Sequence, residues 1–329
     1  MTWLVTGGAG YIGSHVVRNL SEAGIPVVVL DDLSTGVRRF VPDDVPFVEG
    51  TLLDGDLVSQ ALGDHDVTGV IHIAGFKFAG ISVEKPLHTY EQNVTAMMSL
   101  LTAMNTRGVN KLVFSSSSSV YGNAAQGLVT EDHSFNPTSP YGESKVIGEW
   151  MLRNEGVANG LTHTSLRYFN VVGSGDVKLP DVSPYNLLSM VFAGIENSHV
   201  PVIFGDDYDT PDGTCVRDYI HVADLARAHV AAAQRMDASL PIEPAYNLGS
   251  GTGTSVLEMM TAIAKETGID FVPERGPRRE GDPARVVASG EKASRDLGWA
   301  MTHTLAQMIS SAFEARKLTA EPLGERNPR

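Results

Sequence analysis

The sequence predicts an α/β fold: a doubly wound parallel sheet with a smaller C-terminal α/β lobe. Three observations predict it. A glycine-rich turn, Gly7-Gly8-Ala9-Gly10-Tyr11-Ile12-Gly13, lies between a short apolar run and an amphipathic stretch near the start of the chain. Short apolar runs then alternate with helical stretches as far as Tyr168, the pattern of parallel strands joined by right-handed crossovers. Beyond Asn170 the texture changes: Gly, Pro and Asp become frequent and the elements shorten.

Trp3-Leu4-Val5-Thr6 reads as the first strand, and Val16, Val17, Leu20 and Ala23 as the inner face of the first helix. Gly7 can make the tight turn between them. Gly10 lets the backbone approach a pyrophosphate, and Gly13 allows close packing of helix on sheet. A phosphate then sits on the free N–H groups and positive dipole end of the helix. The second strand, Pro26 to Leu30, ends in Asp31-Asp32. Asp31 lies 18 residues after Gly13, where a carboxylate accepts bonds from ribose hydroxyls and repels a 2′-phosphate, so NAD is expected rather than NADP. Arg38 and Arg39 are expected in a solvated loop. Next come a strand at Phe47-Val48-Glu49, a helix at Leu57 to Leu62, a strand at Val70 to Ile73, and a helical stretch from Pro86 to Thr106. A strand at Lys111 to Ser115, the helix containing Tyr141, and a strand at Thr164 to Tyr168 complete the sheet.

Residues 1–172 are thus expected to form a Rossmann-type dinucleotide-binding domain, with returning segments near 218–245, and residues 173–329 mainly a substrate lobe. In that lobe Ser255-Val-Leu-Glu258 is a capping box, and Gly268 a stop for the helix it starts. The polar tail from Lys317 to Arg329 is expected to fray.

A chain of 329 residues, 42% hydrophobic and 19% charged, can bury a full core and reads as a soluble globular protein. It has no apolar run near the ~20 residues of a transmembrane helix. A strand directly after Met1 leaves no room for a signal peptide, so a cytoplasmic location is expected. The single cysteine, Cys215, excludes a disulfide framework and a cysteine-based zinc site; it reads as a small buried side chain, and no metal is expected. The net charge of −14 argues against nucleic acid and anionic membrane as partners. It also requires a local arginine cluster for any anionic substrate.

Tyr141 and Lys145 are four residues apart, so a phenol and an ammonium share one helix face. A phenol ionises near pH 10, too high for a general base, and a neighbouring positive charge is expected to lower it. Alone, such a pair is usually a surface accident. Behind a dinucleotide loop it reads as a hydride-transfer site. The run Ser115 to Ser119 follows an apolar strand and so falls at the carboxyl end of the sheet, where ligands of such sheets bind. A hydroxyl there can donate to a substrate oxygen while the phenolate accepts its proton. The alternative is a serine loop that satisfies its own backbone.

Through these residues the chain resembles the extended short-chain dehydrogenases/reductases, and within them the UDP-galactose (UDP-glucose) 4-epimerases. The resemblance is carried by Thr6 to His15, Asp31 to Gly36, His72 to Lys77, Ser115 to Gly122, Tyr141 to Lys145 and Leu166 to Asn170, then by Gly205 to Val222 and Arg278 to Asp282. The glycine loop and Tyr-x-x-x-Lys mark only the superfamily; the last two stretches mark the epimerase branch. The resemblance implies a proton taken by Tyr141 from the sugar 4-hydroxyl as hydride leaves C4 for tightly held NAD. The 4-keto sugar then turns over and takes the hydride back on its other face. Lys145 and the nicotinamide charge would together depress the Tyr141 pKa, Lys145 would also bond the nicotinamide ribose, and Ser117 would bond the 4-oxygen. For NAD the resemblance adds Tyr11, Ile12, Asp32, Ser34, Thr35, Gly36, Thr51, Leu52, Ala74, Gly75, Lys77, Asn93, Ser115 and Tyr168 to Gly7, Gly10, Gly13, Asp31, Tyr141 and Lys145. For the UDP-sugar it implies Lys77, Ser117, Tyr141, Asn170, Asn186, Arg217, Arg279 and Asp282, with the two arginines on pyrophosphate. Arg278 is expected in a structural ion pair. A homodimer through the helices near 95–105 and 143–153 is also implied.

Three positions depart from the family pattern. Thr51 replaces the usual Asp after Glu49-Gly50, at a cost on the order of 1 kcal/mol at most. The stretch between Asn170 and Asn186 is atypical. Val286 stands where the family limits room beside the sugar, which leaves UDP-N-acetylhexosamines and UDP-pentoses as alternative substrates. Related dehydratases carry Asp-Glu where this chain has Ser118 and Ser119, and eliminating water needs that added acid and base. A non-catalytic NAD-sensing protein on the same fold is the remaining alternative.

Overall fold

A computed structural model describes residues 1–122, 128–278 and 282–319. β1 (Thr2–Thr6) is as expected, with Trp3, Leu4 and Val5 fully buried. α1 (Tyr11–Glu22) buries Val16, Val17 and Leu20. β2 (Val27–Asp31), β3 (Phe47–Glu49) and α2 (Gly55–Asp64) follow, the last capped by Asp54, which accepts from the Leu57 N–H at 3.0 Å. β4 (Val67–His72) begins three residues before the expected Val70, because Val67 is buried and pairs with Thr2.

After α3 (Ala79–Glu84), the expected single helix from Pro86 to Thr106 is interrupted. α4 (Pro86–Tyr90) passes through one π-helical turn, Glu91–Thr95, before α5 (Ala96–Arg107). Such turns carry one extra residue and often mark functional sites. β5 (Lys111–Ser115), β6 (Leu128–Val129), α6 (Pro140–Asn159), β7 (Thr162–Tyr168) and β8 (Asn170–Val172) come next.

The remaining elements are shorter. They are α7 (Leu187–Glu196), β9 (Val202–Phe204), β10 (Val216–Arg217), β11 (Tyr219–His221), α8 (Val222–Asp237) and β12 (Ala245–Leu248). β13 (Thr254–Ser255), α9 (Val256–Thr267), β14 (Glu274–Gly276), β15 (Arg285–Ala288), α10 (Glu291–Leu297) and α11 (Leu305–Thr319) complete the described chain.

Seven strands form one sheet in the order β12-β7-β5-β4-β1-β2-β3, every pair parallel. The chain turns outward one way through β2 and β3 and the other way from β4. The crevice between the carboxyl ends of β1 and β4 is therefore the topological switch point, where open α/β sheets bind ligands. One sheet face is covered by α1 and α8, around Trp3, Val17, Leu20, Leu225 and Tyr246. The other is covered by α2 and α5, around Leu4, Val28, Leu62, Met97 and Leu112.

A second core gathers Leu188, Phe192, Met259, Ile263, Met308 and Ile309 under α7, α9 and α11. Beside it lie a four-stranded sheet, β13-β10-β15-β6, and two strand pairs, β11-β8 and β14-β9. The capping box is present in both directions, and Gly268 ends α9 in the left-handed region at φ 69°.

Candidate active site

The glycine turn shows why three of its positions carry no side chain. Gly7 has φ 72°, and a Cβ there would stand 2.7 Å from the Ala74 backbone nitrogen. At Gly13 a Cβ would lie 2.0 Å from the Gly7 carbonyl oxygen, so this glycine packs the helix onto its own turn rather than onto the sheet. A Cβ at Gly10 would meet only the Gly7 oxygen, at 3.2 Å, so its outer side is open. No side chain caps α1 and no acidic residue stands in its first turn, which leaves its leading N–H groups for an anion. A cradle without Cβ atoms before an uncapped helix fits a pyrophosphate.

Asp31, buried at the end of β2, accepts from the N–H groups of Ala9 and Leu33, both at 2.9 Å. Burial raises its carboxyl above the usual value, and the two N–H bonds oppose that. Each oxygen keeps a further lone pair, so the group can brace the turn and still meet a ribose. Gly36 lies against this carboxylate, where a Cβ would be 2.5 Å from Oδ1. Asp32 accepts from Ser34, and Asp32, Ser34 and Thr35 are all exposed. Arg39 is exposed as expected, whereas Arg38 stacks on Phe47 at 4.5 Å and donates to the Val41 carbonyl. Thr51 accepts from the Leu53 N–H at 3.2 Å, and Leu52 is core. Tyr11 donates to the Gly173 carbonyl at 2.5 Å and so ties α1 to the second lobe, while Ile12 packs on the core.

Across the crevice, Asn93 in the π-helical turn holds the loop after β4. Its Oδ1 accepts from the Phe76 N–H at 2.7 Å, and its Nδ2 donates to the Phe76 carbonyl and to Ser144 Oγ, each at 2.9 Å. Ser144 in turn donates to the Tyr141 carbonyl. Asn93 is thus a brace between the Ala74–Phe76 loop and the start of α6. Gly75 at φ 150° allows the approach, since a Cβ would stand 2.8 Å from Asn93 Oδ1.

Pro140 opens α6 and Ser139 caps it, accepting from the Gly142 N–H at 3.2 Å. This sets Tyr141, Lys145 and Glu149 on one face, each about one turn apart. The Ser117 hydroxyl lies beside the Tyr141 phenol and lowers its pKa. Lys145 Nζ donates to the Ser115 carbonyl at 2.9 Å and lies 5.7 Å from the Tyr141 ring centre and 4.8 Å from that of Phe114. Burial lowers Lys145 to about 8, with the Glu149 charge acting in the opposite direction.

Burial raises the Tyr141 phenol, and the neighbouring Ser117 hydroxyl lowers it. The joint depression expected of Lys145 and the nicotinamide charge belongs to the cofactor-bound enzyme.

Ser115 Oγ shares a 2.7 Å bond with His229 Nε2 and lies beside the Tyr168 phenol, which it lowers against the larger raising by burial. His229 Nδ1 faces the Leu225 carbonyl at 2.9 Å and therefore carries the proton, and burial holds the ring neutral, with its pKa near 4. Ser116 donates to Glu149 Oε1 at 2.6 Å. Ser119 Oγ is buried with no partner among the described residues, so the chemistry of a carboxylate is absent at that position.

The substrate-side residues form two groups. Arg217 is ion-paired with Asp282 and donates to the Val216 carbonyl, so two residues expected to grip separate parts of a nucleotide hold one another. Val286 is the register partner of Arg217 in the neighbouring strand. Arg279 lies outside the described residues. Arg278 pairs with Asp207 at 2.5 Å and covers the Tyr208 ring, the ion pair expected of it. Cys215 is buried, as expected.

In the second group Asn186 donates to Asp181 at 2.6 Å, and the same carboxylate raises the Lys77 pKa against the larger lowering by burial. Lys77 is exposed, and its ammonium lies 5.7 Å from the Phe78 ring centre. The next residue, Phe78, meets Tyr185 edge-on at 4.9 Å. Asn170 is exposed and donates to the Asp218 carbonyl.

Sequence reasoning missed Ser116, Glu149, Arg167, His229 and Asp218. Glu149 stands four residues after Lys145, a spacing that could have found it. Asp218 is fully buried and accepts from Ser250 and Ala288 N–H groups, for which nothing local gives a sign.

Comparison with known proteins agrees with this geometry. Residues 3–249 match the NAD dependent epimerase/dehydratase family. The chain is 41% identical over 334 residues to UDP-glucose 4-epimerase of Lacticaseibacillus casei, covering 99% of this chain and 100% of that one. The solved UDP-glucose 4-epimerase of Brucella ovis in complex with NAD superposes with a TM-score of 0.91, at 38% identity over 94% of this chain and 97% of that one. The enzyme from Bifidobacterium longum in complex with NAD+ and UDP gives 0.87, at 36% identity over 97% and 99%. A glycine cradle, an acidic strand end and a Tyr–Lys helix face meet in one crevice, and the chain belongs to the NAD dependent epimerase/dehydratase family.

Proposed function

We infer that the chain is an NAD-dependent 4-epimerase of UDP-hexoses, interconverting UDP-galactose and UDP-glucose. The observation that carries this is the Tyr141 phenol, with Ser117 and Lys145 beside it, at the carboxyl end of the sheet whose switch point holds the glycine cradle. NAD, when bound, would supply the hydride acceptor and donor for oxidation and reduction at sugar C4.

Tyr141 takes the proton of the 4-hydroxyl and gives it back after the keto sugar has turned. Ser117 holds the 4-oxygen during both steps, and Lys145, near pKa 8, supplies positive charge beside the phenol. Gly7, Gly10 and Gly13 cradle the pyrophosphate of the cofactor, and Asp31 meets its adenosine ribose. The cofactor-side loop is completed by Ala74, Gly75 and Lys77, with Asn93 bracing it.

Arg217 and Arg279 grip the pyrophosphate of the substrate. Asp282 is then shared between Arg217 and a ribose hydroxyl, and Asn170 and Asn186 flank the nucleotide. A firm hold on the nucleotide with a loose one on the sugar permits the turnover. We assign residues 1–172 and 218–245 to cofactor binding and the rest mainly to the substrate.

Purified protein is expected to carry NAD and to convert UDP-galactose without added cofactor. No conversion over hours by NAD-loaded protein would sink the reading, and a panel of UDP-sugars ranks the substrates.

We also propose a homodimer through α5 and α6, on whose outer faces Met98, Trp150 and Val157 are 55%, 45% and 87% exposed. Light scattering that returns a monomer mass would remove it.

A further inference from the structure

The mechanism above leaves Ser116 unused, yet it sits between two serines that touch the reacting machinery. It is fully buried, and its hydroxyl leaves the run in another direction, toward α6. There it donates to Glu149 Oε1 at 2.6 Å. Glu149 cannot swing, because Arg167 of β7 holds both its oxygens, Nε donating at 2.9 and 3.2 Å and Nη2 at 2.5 Å. Arg167 is itself fixed by Nη1 donating to Tyr121 Oη at 2.7 Å, and Tyr121 donates to Asn247 of β12 at 2.7 Å. The anchor therefore runs from the sheet interior through Arg167 and Glu149 to a single serine hydroxyl.

What that hydroxyl holds follows from the chain direction. One residue before it, the Ser115 carbonyl accepts from Lys145. One residue after it, Ser117 lies beside the Tyr141 phenol. Lys145 and Tyr141 stand on the helix face that also carries Glu149, one and two turns away. The helix thus holds the serine loop through Lys145 and Glu149, and the Ser116 hydroxyl reaches the carboxylate that Arg167 locks from behind.

We propose that Ser116 is a positioning residue: its bond to the Glu149–Arg167 pair fixes the distance between the serine loop and α6, and so the placement of Ser117 against the Tyr141 phenol on which proton transfer depends. Buried pairs of this kind fix geometry better than they add stability. A hydrogen bond to the phenolate favours its ionised form, so loosening the loop raises the pH at which Tyr141 ionises.

The proposal rests on the epimerase reading only for its activity arm; titration of the phenol needs no sugar nucleotide. In NAD-loaded protein, the ultraviolet titration of the parent minus that of Tyr141→Phe isolates this phenol. The same difference is then taken in a Ser116→Ala background. Ser116→Ala is expected to move the midpoint upward by about one pH unit, with bound NAD unchanged. Turnover of UDP-galactose falls roughly tenfold near pH 7 and recovers as pH rises past the new midpoint. Ser116→Thr, which keeps the hydroxyl, holds the parent midpoint, and Ser116→Cys, a weaker donor, falls between. An unmoved midpoint in both Ser116→Ala and Ser116→Cys, or an equal loss of turnover at every pH, overturns the proposal. A parent that never turns over UDP-galactose strikes the epimerase reading and leaves the titration to decide on Ser116.

Discussion

At the scale of single residues, the proposed chemistry rests on Tyr141. Burial raises the phenol, and the Ser117 hydroxyl beside it lowers it. Tyr141→Phe is expected to fold, to retain NAD, and to lose turnover by about 10²–10⁴, the usual worth of a positioned acid–base group. Activity within tenfold of the parent would remove Tyr141 from the role. Tyr141 and Lys145 were legible as a pair because one helical turn separates them, and Ser117 because it follows an apolar strand end. Glu149 was not, although it continues the same spacing, because a glutamate on a helix reads as solvated until Arg167 from another strand buries it. Arg217 and Asp282 were legible as charged groups of the second lobe. Their mutual pairing was not, since it joins residues 65 apart in sequence.

At the scale of elements, strands buried on both faces announced themselves as apolar runs, and the glycine turn fixed where the first helix starts. The short strands of the second lobe, two to four residues each, are too brief to show a period of two, so that lobe was legible only as a change of texture. The π-helical turn was likewise hidden, because an extra residue inside a helical stretch leaves composition unchanged. The first turn yields a sharp expectation. Gly13→Ala would put a Cβ 2.0 Å from a backbone oxygen of the same loop, which cannot retreat without moving Gly7 away from Ala74. Such overpacking costs roughly 1–3 kcal/mol or more. The variant should melt lower and be purified with little NAD, read as absorbance of cofactor released on denaturation. A normal cofactor load would show that the cradle tolerates the added methyl.

At the scale of the molecule, four buried histidines set its behaviour in acid. Burial lowers His72 and His221 to about 3 and His15 and His229 to about 4, against 6.5 when exposed. Below pH 6.5 the unfolded chain binds protons that the folded one refuses, so stability is full above 6.5 and falls toward pH 4. Each ring contributes up to ~1.4 kcal/mol per pH unit. Burial raises the carboxyls of Asp31 and Asp218, which oppose this trend at lower pH. The urea midpoint should therefore drop steeply between pH 6.5 and 4.5, and a flat profile there would contradict the buried-histidine account.

The path of the chain through its main sheet has a consequence for its birth on the ribosome. β12, the edge partner of β7, is made about 75 residues after β7 ends. The α8 helix that covers Trp3 and Val5 also comes late, and its Asp237 accepts from the Trp3 indole N–H and from Lys111. The first strand synthesised is thus among the last to be sheathed. A nascent chain arrested before Asp237 presents an open strand edge and a bare apolar face, the surfaces that holding chaperones bind.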